Sequence, residues 1–173
     1  MIVVGVDPGL TGALSFVDTA TGAVVIEDMP TKERSARGEV SKRVDGLALA
    51  TLVRRHVPPN TVAMSACEAV RSFGRSDPAR AATVDSLQMT LGAIMAVFDV
   101  LRCPCVLVEP RAWQKLAGIV GKAKEAREKG ALPAAVLKAR ELYPAAAPML
   151  GRVKDHNRAE SLLIAHFAVR TLT

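Results

Sequence analysis

Residues 1–30, MIVVGVDPGLTGALSFVDTATGAVVIEDMP, constrain the fold more than any other stretch. They hold short β-branched runs at 2–6, 13–17 and 24–26, parted by turns containing Gly12 and the pair Thr21-Gly22. Runs this close, joined by tight turns, pair as an antiparallel meander. Residues 31–43, TKERSARGEVSKR, are polar throughout and read as a surface loop. The period then changes. Val44, Leu47, Ala48, Thr51, Leu52 and Arg55 recur at helical spacing, and Pro58-Pro59-Asn60 closes that helix. A strand is expected over 61–66, with Glu68 at its end, and a long helix over 79–101 that is apolar on more than one side and so buried on several faces. A strand follows over 105–108. Pro110 sits where the first residue of the next helix belongs. Gly130 and Pro133 separate a basic loop from a helix starting near 133, and a last helix begins near 157. This order predicts an α/β fold in a single domain over 1–173. Its five-stranded mixed sheet would be antiparallel in the first three strands, then parallel, and flanked by helices.

The rest of the chain narrows the function. Half of the residues are hydrophobic, which excludes a disordered tail. No apolar run reaches the roughly 20 residues that span a bilayer, so no membrane partner is expected. The start, MIVVGV, has no basic leader and reads as part of the fold. A net charge of +6 and a pI near 9.6 point to a polyanionic partner, nucleic acid first. Cys67, Cys103 and Cys105 lack zinc-site spacing and read as reduced, structural residues of a cytoplasmic protein.

Four carboxylates stand at unusual places. Asp7 follows the first strand and Glu68 ends the fourth, while Asp155 and Glu160 frame the mouth of the last helix in KDHNRAESLLIA. Singly, each reads as a turn residue, a solvated strand end or a helix cap. Together they form a pattern, because the first and fourth strands of such a sheet can lie side by side. Carboxylates brought together repel unless they are protonated or hold a cation. Mg²⁺ answers this, since it takes oxygen ligands and keeps exchangeable waters. Two such ions about 4 Å apart stabilise both oxygens of a phosphodiester displacement. Asp155 and Glu160 cannot share a helix face at a spacing of five, so Asp155 must precede the helix to join the site. His156, four before Glu160, rivals Asp155 as ligand or as the group that orients water. His166 reads as a core residue, Trp113 as an anchor for its own helix, and His56 as a helix-end residue without a special role.

GVDPGLTGALSFVD, ACEAV, VEPRAWQKLAG, ARELYP and KDHNRAESLLIAHF occur here in the same order as in a known family. The chain resembles the RuvC-type Holliday junction resolvases of the RNase H-like superfamily, with closer similarity to the chloroplast-type resolvases and their bacterial and phage relatives. The segment REKGALPAAV departs from the pattern as a small insertion. Absence of a transit peptide fits a bacterial or phage origin. The resemblance implies a homodimer that nicks four-way DNA junctions symmetrically in recombination and repair, leaving 5′-phosphate ends. It implies Asp7, Glu68, Asp155 and Glu160 as ligands for Mg²⁺, two ions per site, with Mn²⁺ as a substitute. The third ligand, Asp155 or His156, stays open. The long helix is the candidate dimer element. The alternatives are a broader branched-DNA or RNA-hybrid nuclease, and an inactive junction-binding protein.

DNA contacts are expected from two basic groups. Phe73, flanked by Arg71 and Arg75 on a polar loop, is placed to stack on opened bases, and Arg80 joins that group at phosphates. Lys115, Lys122, Lys124 and Arg127 make a second track, and Arg158 would hold the scissile phosphate.

Overall fold

A computed structural model describes residues 1–36, 39–70, 78–121 and 131–173, with side chains described outside 34–40, 71–83 and 122–130. Strands β1 (Ile2–Asp7), β2 (Ala13–Asp18) and β3 (Val24–Asp28) form the expected antiparallel meander. Strands β6 (Ala63–Glu68) and β7 (Cys105–Val108) continue the sheet in parallel, giving the order β3-β2-β1-β6-β7. The first and fourth strands of this sheet are therefore neighbours, as the sequence led us to expect. Their register pairs Val6 with Cys67, which leaves Asp7 and Glu68 as the next residues along two adjacent strand ends.

Two helical layers cover the sheet. On one face lie α1 (Gly46–His56) and α2 (Pro78–Val100), closing a core of Val4, Val6, Phe16, Leu49, Val53, Ile94 and Phe98. On the other lie α3 (Pro110–Leu116), α4 (Ala134–Leu142) and α5 (His156–Thr171), packed over Val3, Val17, Ala66 and Val108. Side chains alternate along a strand. Val4 and Val6 face α1 and α2, so Asp7 points to the α3 and α5 side.

The approach of α5 to the sheet fixes the site. An added Cβ on Gly5 would lie 2.1 Å from the Ser161 carbonyl oxygen and 2.3 Å from the Ala165 nitrogen, so only glycine admits the helix backbone here. Beside it, the buried hydroxyls of Ser15 and Ser161 stand 2.6 Å apart. Ser161 donates its proton to the Arg158 carbonyl, so Ser15 donates to Ser161. Ser161, Leu162, Leu163, Ile164 and Ala165 are all buried, which locks the helix between the sheet and α4.

Four expectations change. Residues 31–43 are not a loop: Thr31–Ala36 (β4) and Glu39–Val44 (β5) pair as a separate two-stranded sheet. Its strands set Glu33 opposite Lys42 and carry no apolar alternation, the signal a half-buried strand shows. Helix α1 exists but is rotated from the expected stripe. Asp45 caps it by accepting from the Leu47 and Ala48 amides, Leu49 and Val53 face inward, and Leu47 is 78% exposed. The strand expected over 61–66 starts two residues later, at Ala63. Helix α2 also differs: among its described side chains, those buried are Thr90, Leu91, Ile94 and Phe98, one stripe, while Met89 and Val100 face out. Among the described residues, no helix is long and apolar enough to cross a membrane.

Candidate functional site

A cleft of about 430 Å³ opens at the ends of β1 and β6. Asp7, Glu68 and Asn157 line it together with Pro8, Gly9 and Thr11 of the β1–β2 turn, Leu87 of α2 and Pro110 of α3. Gly12 closes the turn under Asp7, where an added Cβ would meet the Asp7 carbonyl oxygen at 2.1 Å.

Three carboxylates converge. Burial, then the charge of Glu160, then that of Glu68 push the Asp7 carboxyl up to about 8. Burial and then Glu68 push Glu160 up to about 7. Glu68 is raised by burial, against the opposing pull of a hydrogen bond that the Trp113 indole Nε1 donates to its Oε2 at 2.8 Å. Among the described residues, neither Asp7 nor Glu160 has a hydrogen-bond donor or a cation as partner. The carboxyls can ionise together near neutral pH only if a cation balances them, and the oxygen-only donor set fits a hard dication. Among the described residues, no three His, Cys, Asp or Glu side chains form a ready-made cage. A cation that keeps part of its water shell needs no closed cage.

Asp155 stands in a different environment. It ends a 3₁₀ turn, Val153–Asp155, just before α5, is 3% exposed, and is gripped by Arg152. The Arg152 guanidinium donates to it at 2.8–3.2 Å and the Arg152 amide at 2.8 Å, which hold its carboxyl below the usual range. Arg158 gives both arms of its guanidinium to Asp28 of β3, at 2.6 Å each, rather than to the cleft. His156 opens α5 and is exposed. Lys115 is exposed on α3. Arg71, Phe73, Arg75, Lys122, Lys124 and Arg127 lie outside the described residues, as does the side chain of Arg80, which falls within α2.

Sequence reading missed two residues of the site. Asn157 reaches from α5 to the β1–β2 turn, where its Nδ2 donates to the Thr11 carbonyl at 2.6 Å and to Thr11 Oγ1 at 3.1 Å. It falls three residues before Glu160, and that helical spacing was the available signal. Trp113 anchors its helix as expected, being 1% exposed, but it also bonds Glu68. Away from the cleft, His166 accepts or donates at 3.0 Å with Tyr143 Oη, and His56 stacks on Phe16 and meets Glu27 at 3.1 Å.

Comparison with known proteins agrees with this architecture. The structure of RuvC from Thermus thermophilus matches with a TM-score of 0.56 at 22% identity, covering 100% of this chain and 98% of that one. The fold is RNase H-like. A second Thermus thermophilus RuvC structure, in complex with Holliday junction substrate, matches this RNase H-like chain with a TM-score of 0.56 at 20% identity, over 98% and 95% of the two chains. The Fowlpox virus resolvase, solved with substrate Holliday junction DNA, has a TM-score of 0.44 at 12% identity over 99% of each chain. No protein-family model and no curated protein matches the sequence.

Proposed function

We propose that the protein is a divalent-metal-dependent, structure-specific endonuclease that cuts four-way DNA junctions. The observation that carries this reading is the mutual charge repulsion of Asp7, Glu68 and Glu160 in an RNase H-like sheet, where Asp7 and Glu68 line one cleft and, among the described residues, no cation partners Asp7 or Glu160. The ordered motifs noted above support placement nearer the chloroplast-type resolvases and their bacterial and phage relatives.

In this reading Asp7, Glu68 and Glu160 hold Mg²⁺, or Mn²⁺ in its place. The bound metal supplies an activated water and stabilises charge on the phosphodiester oxygens. The chain's own residues position and shield. Gly5 and the Ser15–Ser161 bond hold α5, and so Glu160, against β1. Asn157 ties the mouth of α5 to the turn that follows Asp7. Pro8, Leu87 and Pro110 give the cleft apolar walls that limit water beside the carboxylates. Asp155 and His156 flank the set as further candidate ligands, and Asp155 joins it only on release from Arg152. Lys115 and the basic residues beyond it contact the DNA backbone, consistent with the net charge of +6. Two copies pair through α2, whose Met89, Ala93, Ala96 and Val100 form an exposed apolar stripe at helical spacing. Each copy nicks one strand and leaves 5′-phosphate ends.

The test is cleavage of a labelled mobile four-way junction beside linear duplex and Y-shaped DNA, in Mg²⁺ and in EDTA. Paired, ligatable nicks in Mg²⁺ alone are expected, with Asp7→Asn binding the junction but leaving it intact. Binding without cutting in any divalent metal would reject the enzyme. Equal cutting of every branched substrate, or better cutting of RNA hybrids, would reject the substrate.

A further inference from the structure

We infer that Trp113 is a positioning residue for Glu68: its indole N–H holds one carboxylate oxygen and thereby presents the other to the cleft. The inference rests on the metal-binding reading of the carboxylate cluster.

The bond arises from chain topology. Val108 pairs with Glu68 across β6 and β7, and the chain turns at Glu109 into α3 with Pro110 at its first position. One turn later Trp113 lies under the sheet end, and it is the largest fully buried side chain in the described structure. Its Nε1 donates to Glu68 Oε2 at 2.8 Å. A ring packed this tightly cannot swing, so the oxygen it holds is fixed as firmly as the core. Among the described residues the Glu68 side chain makes no other hydrogen bond or ion pair, and it lines the cleft.

The chemistry of the donor matters. An Arg or Lys in the same place would orient the carboxylate but would also compete with a dication for its charge. An indole is a neutral donor with a single N–H, so it orients without neutralising. Outer groups of this kind usually contribute about 10–100-fold to metal affinity. The competing account is that Glu68 only satisfies a buried indole. Removing the donor would then cost stability but leave metal binding intact.

The experiment replaces Trp113 with benzothienylalanine, which puts sulfur in place of the N–H and keeps the ring volume, alongside Glu68→Gln. Mn²⁺ binding by the full chain is followed by electron paramagnetic resonance, with Tm, junction affinity in Ca²⁺ and the Mg²⁺ dependence of cleavage measured in parallel. We expect the isostere to keep its junction affinity, to bind Mn²⁺ about 10–100-fold more weakly, and to need correspondingly more Mg²⁺ for half-maximal cleavage. Unchanged Mn²⁺ affinity in the folded isostere, beside a wild type that binds metal and cuts, overturns the role of Trp113 alone. A wild type that neither binds Mn²⁺ nor cuts overturns the metal reading and this inference with it.

Discussion

Replacing Gly5 with alanine should force α5 away from the sheet and Glu160 away from Asp7. The new Cβ would lie 2.1 Å from the Ser161 carbonyl oxygen, where ordinary contact begins at 3.4 Å, so about 1.3 Å must be found (3.4 − 2.1). It would also lie 2.3 Å from the Ala165 nitrogen and 2.8 Å from its Cα, all backbone atoms of a helix. No side-chain rotation relieves such a clash. The far side of α5 is buried against α4, so retreat breaks packing there too. Overpacking of this kind costs about 1–3 kcal/mol, and rigid backbone places it at the upper end. For a chain of this size each kcal/mol moves Tm by about 2–4 °C, which makes the expected loss about 6–12 °C. A shift near 1 Å at a reacting centre costs about 100-fold in rate. Thermal unfolding by circular dichroism and junction cleavage well below both melting points are the measurements. Gly92→Ala is the stability control: nothing lies within 4 Å of its Cβ, it sits inside α2, and it should raise rather than lower stability, by roughly 0.5–1 kcal/mol. A Gly5→Ala protein with wild-type Tm and wild-type cleavage would refute the claim that close backbone contact sets the site.

Other predictions address charge. Asp7 and Glu160 have folded values near 8 and 7 against ordinary values of 3.8 and 4.5, so the folded metal-free protein binds protons more tightly than the unfolded chain. That contribution to stability is complete at low pH and is lost as pH rises through about 7 and 8, so Tm in EDTA should fall from pH 5 to pH 8.5. Saturating Mg²⁺ should flatten the slope, Asp7→Asn should reduce it, and a Tm that rises over that range would reject the cluster. Arg152→Ala should destabilise by about 1–3 kcal/mol because it strips the main donors from buried Asp155. Asp28→Ala removes a 65%-exposed partner and should cost under about 1 kcal/mol by the same unfolding assay. Junction affinity should fall steeply and linearly in a plot of log K against log salt, and each phosphate-contacting lysine removed should reduce the slope by about 0.9. A flat salt response would exclude the backbone track.

The sheet and two members of the site could be read directly from the sequence because both rest on local pattern. β-branched runs mark the strands, and Asp7 and Glu68 stand at strand ends whatever the rest of the chain does. What could not be read depends on rotation or distance. Leu47 and Leu49 are both apolar, and only the Asp45 cap, which sets where α1 begins, decides which turns inward. The sequences of the β4–β5 pair, TKERSA and EVSKRV, carry no alternating apolar signature. Asp155 and Glu160 lie close in sequence, yet Arg152 draws one into an ion cluster while the other couples to the charges of Asp7 and Glu68. The Trp113 contact spans 45 residues and has no local sign.

The Ser15–Ser161 bond, with 146 residues between its partners, bears on the order in which the protein is made. The meander carrying Asp7 is translated first and Glu160 on α5 far later, so a partly synthesised chain has the sheet edge but not the third carboxylate. Under the proposed metal-binding role of the three carboxylates, their chemistry would be withheld until α5 has docked. On the proposed function, folding and hydrolytic competence would become one event, and a chain that stalls before α5 would be inert toward nucleic acid.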